Sequence, residues 1–212
     1  MLTDRPSPRR QRQRRRRVRH ALAGVTALAL LLVTSSPAPA SARTRPYLLG
    51  DSVVAWSEAA IENKLGHTGL VIDALACRGA VASCVVPGQG TRPPSGLSTI
   101  KSQRGRLSEL VIIELGYNDR PQRRAIDRVM QELRDQGVSR VAWINLSERR
   151  SGYRDTNRAL MAASLRWSEL RVLDWRSYSA GRGSWFIDGV HLTSKGKQAF
   201  AHFLAQSIAR LG

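Results

Sequence analysis

The sequence has few cysteines and few acidic residues, and each shortage excludes something. Two cysteines in 212 residues are too few for a scaffold built on disulfides. They also lack the further Cys or His ligands at short spacing that a structural zinc site needs. Against 16 Asp and Glu stand 34 Lys and Arg, a formal charge of +18, so contacts with anions are favoured over contacts with cationic partners. Long apolar runs are also scarce. The run Ala21–Val33 falls short of the roughly 20 residues that cross a bilayer. There is no internal repeat, and the length suits one domain with its own core.

The positive charge is concentrated at the start. Residues 1–20 contain Arg5, Arg9, Arg10, Arg12, Arg14, Arg15, Arg16, Arg17 and Arg19 against Asp4. The apolar run Ala21–Val33 follows, and then the small-residue stretch Ser35–Ala42. A basic, then apolar, then small-residue order is that of a secretory signal. The expectation is a signal peptide over residues 1–42, cleaved after Ala40 or Ala42, and a mature domain over 43–212 that is secreted or extracytoplasmic. A basic arm for nucleic acid is the competing reading of the arginines, but the apolar stretch directly behind them favours export. No nucleic-acid partner is expected. In an oxidising compartment Cys77 and Cys84 are expected to form a disulfide.

Along the mature chain, short apolar runs alternate with helical patterns. Tyr47–Gly50, Leu70–Ala74, Leu110–Leu115, Val141–Leu146 and Arg171–Asp174 read as strands buried on both faces. A helix capped by Asp51 or Ser52 is expected to run to Leu65. Ile126, Val129, Met130 and Leu133 mark a second helix between Pro121 and Gly137, and Phe200, Phe203, Leu204, Ile208 and Leu211 a last one behind Thr193. A weaker helix covers Thr156–Trp167. Val85–Arg106 reads as a long surface connection with a short helix near Ser98–Gln103. Such alternation predicts an α/β protein with a parallel sheet whose functional residues follow the strands.

Four features fall at those strand ends. Gly50-Asp51-Ser52 places a hydroxyl at a helix start, where its own backbone N–H points outward. Arg78-Gly79 offers an unobstructed amide after the second strand. Gly116-Tyr117-Asn118-Asp119 supplies a side-chain amide that can donate to a developing oxyanion. Asp188-Gly189-Val190-His191 puts an acid three residues from an imidazole, the spacing of an acid that fixes the tautomer of a base. Each alone is also an ordinary turn or helix cap; their order along the chain is what gives them weight.

Together these blocks resemble the SGNH (GDSL-like) hydrolase superfamily, over nearly the whole chain from Gly50 to His191 and into the final helix. The resemblance implies a three-layer α/β/α fold with a flavodoxin-like parallel sheet of about five strands. It implies Ser52 as nucleophile, His191 as general base and acid, and Asp188 as its orienting acid. The Ser52 and Gly79 amides and the Asn118 side chain would form the oxyanion hole, with Ala82 and Gly88 as lesser candidates for the second donor. Asp51 and Asp119 would order the loops. Gly50-Asp51-Ser52-Val53 and Ala76-Cys77-Arg78-Gly79 look more like SGNH domains that modify acyl groups on envelope polysaccharides than like lipases.

The expected activity is serine-dependent hydrolysis of O-acyl esters through an acyl-enzyme, with no metal and no organic cofactor. An imidazole base must be neutral, so activity should fall below about pH 6.5. Two alternatives use the same residues: acyl transfer to envelope polysaccharide, and a non-catalytic binding domain. The expected partner is a small ester or acylated glycan, with weak attraction to anionic envelope polymers and a monomeric state. Arg92, Lys101, Arg104, Arg106, Arg120, Arg123 and Arg124 are candidates for a cationic rim, and Trp185 is the tryptophan expected near the site.

Overall fold

The structure is a computed structural model that describes residues 45–211. The expected signal segment, residues 1–42, lies outside the described residues. Strands β1 (Tyr47–Gly50), β2 (Val71–Ala74), β3 (Leu110–Glu114), β4 (Arg140–Ile144) and β5 (Leu170–Leu173) form one parallel sheet in the order β2-β1-β3-β4-β5. The helices are α1 (Ser52–Ala55), α2 (Glu58–Leu65), α3 (Gly96–Ser102), α4 (Arg123–Asp135), α5 (Tyr153–Ser164), α6 (Trp175–Tyr178) and α7 (Ser194–Leu211).

Side chains of successive strand residues point to opposite faces, and the core divides accordingly. Leu48, Ile112, Ala142 and Ile144 pack with Ile61 and Leu65 of α2 and with Phe200, Phe203 and Leu204 of α7. Leu49, Val111, Ile113, Val141 and Trp143 pack on the other face with Leu97 and Ile100 of α3, Ile126, Val129, Met130 and Leu133 of α4, and Leu160 of α5. The result is the expected α/β/α arrangement with five parallel strands.

Two expectations need correction. The first helix is broken: Ser57 N–H donates to Val54 O at 2.9 Å, an i→i−3 closure, before the chain restarts as α2. The break leaves Trp56 exposed instead of placing it on a continuous helix face. The second concerns burial. Strands β2 and β5 are the sheet edges, so they are not buried on both faces; Val71 is 42% exposed, and Ile72, Asp73, Ala74, Val172 and Leu173 are half-buried. Only β1, β3 and β4 are central, and their burial, complete but for Arg140 at the start of β4, follows from that position. Among the described residues, no helix is long and apolar enough to cross a membrane.

Candidate active site

The carboxyl ends of β1, β2 and β3 and the loop before α7 converge on Ser52. Gly50 is required there, because a Cβ at that position would lie 2.3 Å from Val54 Cγ2. Without it α1 could not start so close to β1. Asp51 caps that helix, accepting from Val53 N at 2.9 Å. Ser52 N belongs to the first turn of α1, whose amides have no intrahelical acceptor.

Ser52 Oγ lies 3.0 Å from His191 Nε2, bridging 139 positions of sequence. His191 Nδ1 lies 2.8 Å from Asp188 Oδ2. Asp188 Oδ1 accepts from the Val190 and His191 amides at 2.9 and 2.8 Å, a turn made possible by Gly189 at φ 88°. Partial burial pushes the Asp188 carboxyl upward, but hydrogen bonds from the His191 side chain and from the His191 and Val190 amides outweigh it and hold the group at about 2. Asp188 is therefore an anion across the useful pH range. Its loop is anchored by Ile187 N to His191 O at 2.8 Å and leads to Thr193, whose hydroxyl accepts from Gly196 N at the start of α7.

Next to the nucleophile's neighbour Asp51, Asn118 Nδ2 donates to Arg78 O at 2.9 Å and to Asp51 Oδ2 at 3.2 Å. Gly79 N donates weakly to Ser83 Oγ at 3.3 Å. A Cβ on Gly79 would meet Ala82 O at 2.0 Å and Asp119 Cγ at 2.7 Å, so the chain there closes tighter than any side chain allows. Asp119 Oδ2 accepts from Val81 N at 2.8 Å and Ala82 N at 3.1 Å, which engages the Ala82 amide in holding the loop. Gly88 lies in the connection beyond Cys84, at φ 77°. Cys77 and Cys84 form a disulfide that closes the same loop, with Cα atoms 5.0 Å apart. The buried Arg78 fastens its base, pairing with Asp73 Oδ1 at 2.8 Å and donating to Asp73 O at 2.6 Å.

Two residues at the site are absent from the sequence expectations. Trp56 stacks on the His191 ring with centroids 4.2 Å apart and planes 25° apart. Trp185 instead joins an aromatic group with Trp175 and Tyr178 and carries Arg182 on its face. The tryptophan stacked on the imidazole is thus Trp56. The second is Glu114, at the end of β3. Its carboxyl is fully buried against that of Asp51, and its Oε2 has no protein partner. Burial pushes Asp51 up to about 6, and burial together with the nearby Asp51 charge holds Glu114 well above the usual carboxylate range. Two buried acids so close together hold a proton between them at mildly acidic pH. A charged residue closing an apolar strand was the available signal. Among the described residues, no group of three or more His, Cys, Asp or Glu side chains could hold a metal.

No known family profile matches the chain. Among curated proteins, several from Staphylococcus aureus named O-acetyltransferases are 28% identical over 110 residues, 51% of this chain. The chain spans about a fifth of the length of those relatives, the match covering 18% of each. The solved structures it is similar to include three enzymes. The first is the C-terminal catalytic domain of a peptidoglycan O-acetyltransferase from Streptococcus pneumoniae (TM-score 0.61, 17% identity, 78% of this chain and 93% of that one). The second is a GDSL-like lipase from Bacteroides thetaiotaomicron (0.60, 11%, 82% and 92%). The third is a family 3 carbohydrate esterase from Clostridium thermocellum (0.56, 15%, 79% and 98%). With its parallel sheet order and this likeness over at least 78% of its length, the chain has the fold of the SGNH/GDSL-like hydrolase superfamily.

Proposed function

We propose that this chain is an extracytoplasmic acyl-handling enzyme that cleaves O-acyl esters through Ser52. The observation that carries the reading is the hydrogen-bonded series Ser52 Oγ, His191 and Asp188, with steps of 3.0 and 2.8 Å at the carboxyl edge of the sheet. Ser52 Oγ attacks the ester carbonyl while its proton passes to His191 Nε2. Asp188, an anion, keeps Nδ1 protonated and stabilises the imidazolium. The tetrahedral oxyanion takes hydrogen bonds from the Ser52 and Gly79 amides and from Asn118 Nδ2; the weak Gly79–Ser83 contact and the 3.2 Å bond from Asn118 Nδ2 to Asp51 Oδ2 are exchanged for it. Collapse expels the alcohol, which takes the proton from His191. Water then attacks the acyl-serine by the same steps in reverse, releasing the acid and free Ser52. An oxyanion donor of this kind is worth about 3–4 kcal/mol, so Asn118→Ala should lower kcat by roughly 10²–10³.

Acyl transfer to a sugar hydroxyl is the second reading, supported by the likeness to the Staphylococcus aureus relatives and to the Streptococcus pneumoniae domain. It differs only in which hydroxyl attacks the acyl-serine. The disulfide and the signal-like residues 1–42 support an extracytoplasmic setting. A small ester or acylated glycan is the partner that fits, acted on by a monomer that needs neither cofactor nor metal.

The test is initial-rate hydrolysis of p-nitrophenyl esters from acetyl to long acyl by the wild type and by Ser52→Ala. It is paired with fluorophosphonate labelling. Turnover and labelling that both vanish in the variant support the hydrolase. Labelling without turnover favours the transferase, and neither favours a binding domain.

A further inference from the structure

In the proposed chemistry His191 Nε2 hands its proton to the departing alcohol oxygen. The alcohol moiety therefore leaves along the His191–Asp188 side of Ser52, away from Gly79 and Asn118. The loop Ser147–Gly152 and the loop Arg182–Gly189 build that side. Arg150 Nε donates to Asp188 O at 2.7 Å, and its Nη2 lies 3.4 Å from Asp188 Oδ2. Arg149 backs onto Gly189, where an added Cβ would sit 3.3 Å from Arg149 Cβ. Its guanidinium lies over the Phe186 ring at 4.8 Å. Arg182 lies over Trp185 at 4.8 Å, and Arg120 over Tyr153 at 5.6 Å. All four arginines are exposed.

Elsewhere Arg134 meets Glu169 at 2.7 Å while lying over the Trp167 ring at 4.3 Å, and Arg166 meets Asp127 at 2.7 Å, whereas Arg140 and Arg171 donate to backbone carbonyls. On this flank Glu148 is already held by Arg176 at 3.1 Å, Arg154 at 3.4 Å and Asn157 at 3.0 Å, and Asp188 by His191 and Arg150. Arg120, Arg149 and Arg182 rest over aromatic rings and have no carboxylate partner among the described residues, and Arg182 Nη1 donates to Tyr178 O at 2.8 Å, which leaves its other N–H groups for a ligand. A guanidinium held over a ring is restrained by the ring, while its N–H groups without a protein acceptor stay available for an oxyanion. Of the expected rim, Arg120 belongs to this flank, Arg124 lines a separate groove with Asp127 and Arg166, and Arg123 faces Asp127 at 3.6 Å.

We propose, resting on the Ser52 reading, that the substrate is an ester whose alcohol moiety is anionic, carrying a carboxylate or phosphate that Arg149 and Arg182 receive beside His191. The test compares 4-acetoxybenzoate, 4-acetoxyphenylphosphonate and the neutral methyl 4-acetoxybenzoate at low salt, with the wild type, the Arg149→Gln/Arg182→Gln double variant and Ser52→Ala. The wild type should favour at least one anionic ester by about tenfold in kcat/KM, the two anions showing which group is preferred. The double variant should lose that preference while its rate on the neutral ester stays within about twofold, and added salt should erode the wild-type preference in the same way. Equal rates on charged and neutral esters, or a preference that survives in the double variant, would overturn the proposal. If Ser52 is labelled by fluorophosphonate but turns over none of the esters, protection from labelling gives the same comparison. If Ser52 neither turns over ester nor labels, the active-site reading has failed and this proposal falls with it.

Discussion

Two carboxylate regions touch the candidate site, and they are tuned in opposite directions. Asp188 sits on an exposed turn, receives two backbone amides and an imidazole, and is held at about 2. Asp51 lies fully buried behind the nucleophile with Glu114 beside it, and burial lifts it to about 6. The same functional group serves as a permanent anion in one place and as a proton-sharing brace in the other. The depth of burial, set against the donors aimed at each carboxylate, decides which. The contrast assigns the work on His191 to Asp188. It leaves Asp51 and Glu114 to fix the start of α1 and the Asn118 amide.

The sharpest way to break this division is Asp188→Asn. Loss of the anion should leave the turn largely intact but remove the charge that holds the imidazolium, lowering kcat by roughly 10³–10⁴ with little change in KM. A stopped assay on p-nitrophenyl acetate is sufficient. If Asp188→Asn costs less than tenfold, the buried pair must be carrying the role assigned to Asp188.

Glu114→Gln probes the other region and should do nearly the opposite. Both buried acids have folded-state pKa values above their unfolded ones, so the folded chain keeps protons that the unfolded chain releases. The stability they contribute is complete below about pH 4 and is lost as the pH rises through about 6, where Asp51 ionises. Replacing Glu114 by an amide keeps a donor toward Asp51 and removes one buried charge. The melting temperature should therefore rise by roughly 2–6 °C at pH 8 and hardly change at pH 4.5. Ester turnover should stay within about threefold. An equal gain at both pH values would show that Glu114 is not titrating in the folded protein.

How far the sequence revealed these regions follows from the range of the contacts involved. Ser52, Asn118, Asp188 and His191 were legible because each sits in a short block at a strand end, and the order of the blocks carries the pattern. Cys77 and Cys84 were legible from their spacing and the expectation of export. The roles of Trp56 and Glu114 were not, since the stacking on His191 and the pairing with Asp51 join segments 135 and 63 positions apart. The edge positions of β2 and β5 were hidden for a related reason. Leu70–Ala74 and Arg171–Asp174 read as apolar runs like the central strands, and strand order is a long-range property. The polar Asp73 and Arg171 within them were the local hints. The break at Trp56 and Ser57 left no mark, because no Gly or Pro interrupts Ser52–Leu65.

The smallest predicted effect also lies on the exposed side of the comparison, at Trp56. Its ring covers one face of the imidazole at 4.2 Å, and the side chain is itself half exposed, so its packing energy is modest and its main effect is on orientation. Asp188 fixes Nδ1, but rotation of the ring about that hydrogen bond is limited chiefly by what lies against its face. Trp56→Ala should therefore lower kcat by roughly three- to tenfold through a less well aligned Nε2, while leaving the melting temperature within about 2 °C. Trp56→Phe, which restores an aromatic face, should recover most of the rate. A Trp56→Ala variant with altered KM and intact kcat would move this residue from orienting the imidazole to holding substrate. Asp188 and Ser52 would then be what fixes the His191 ring.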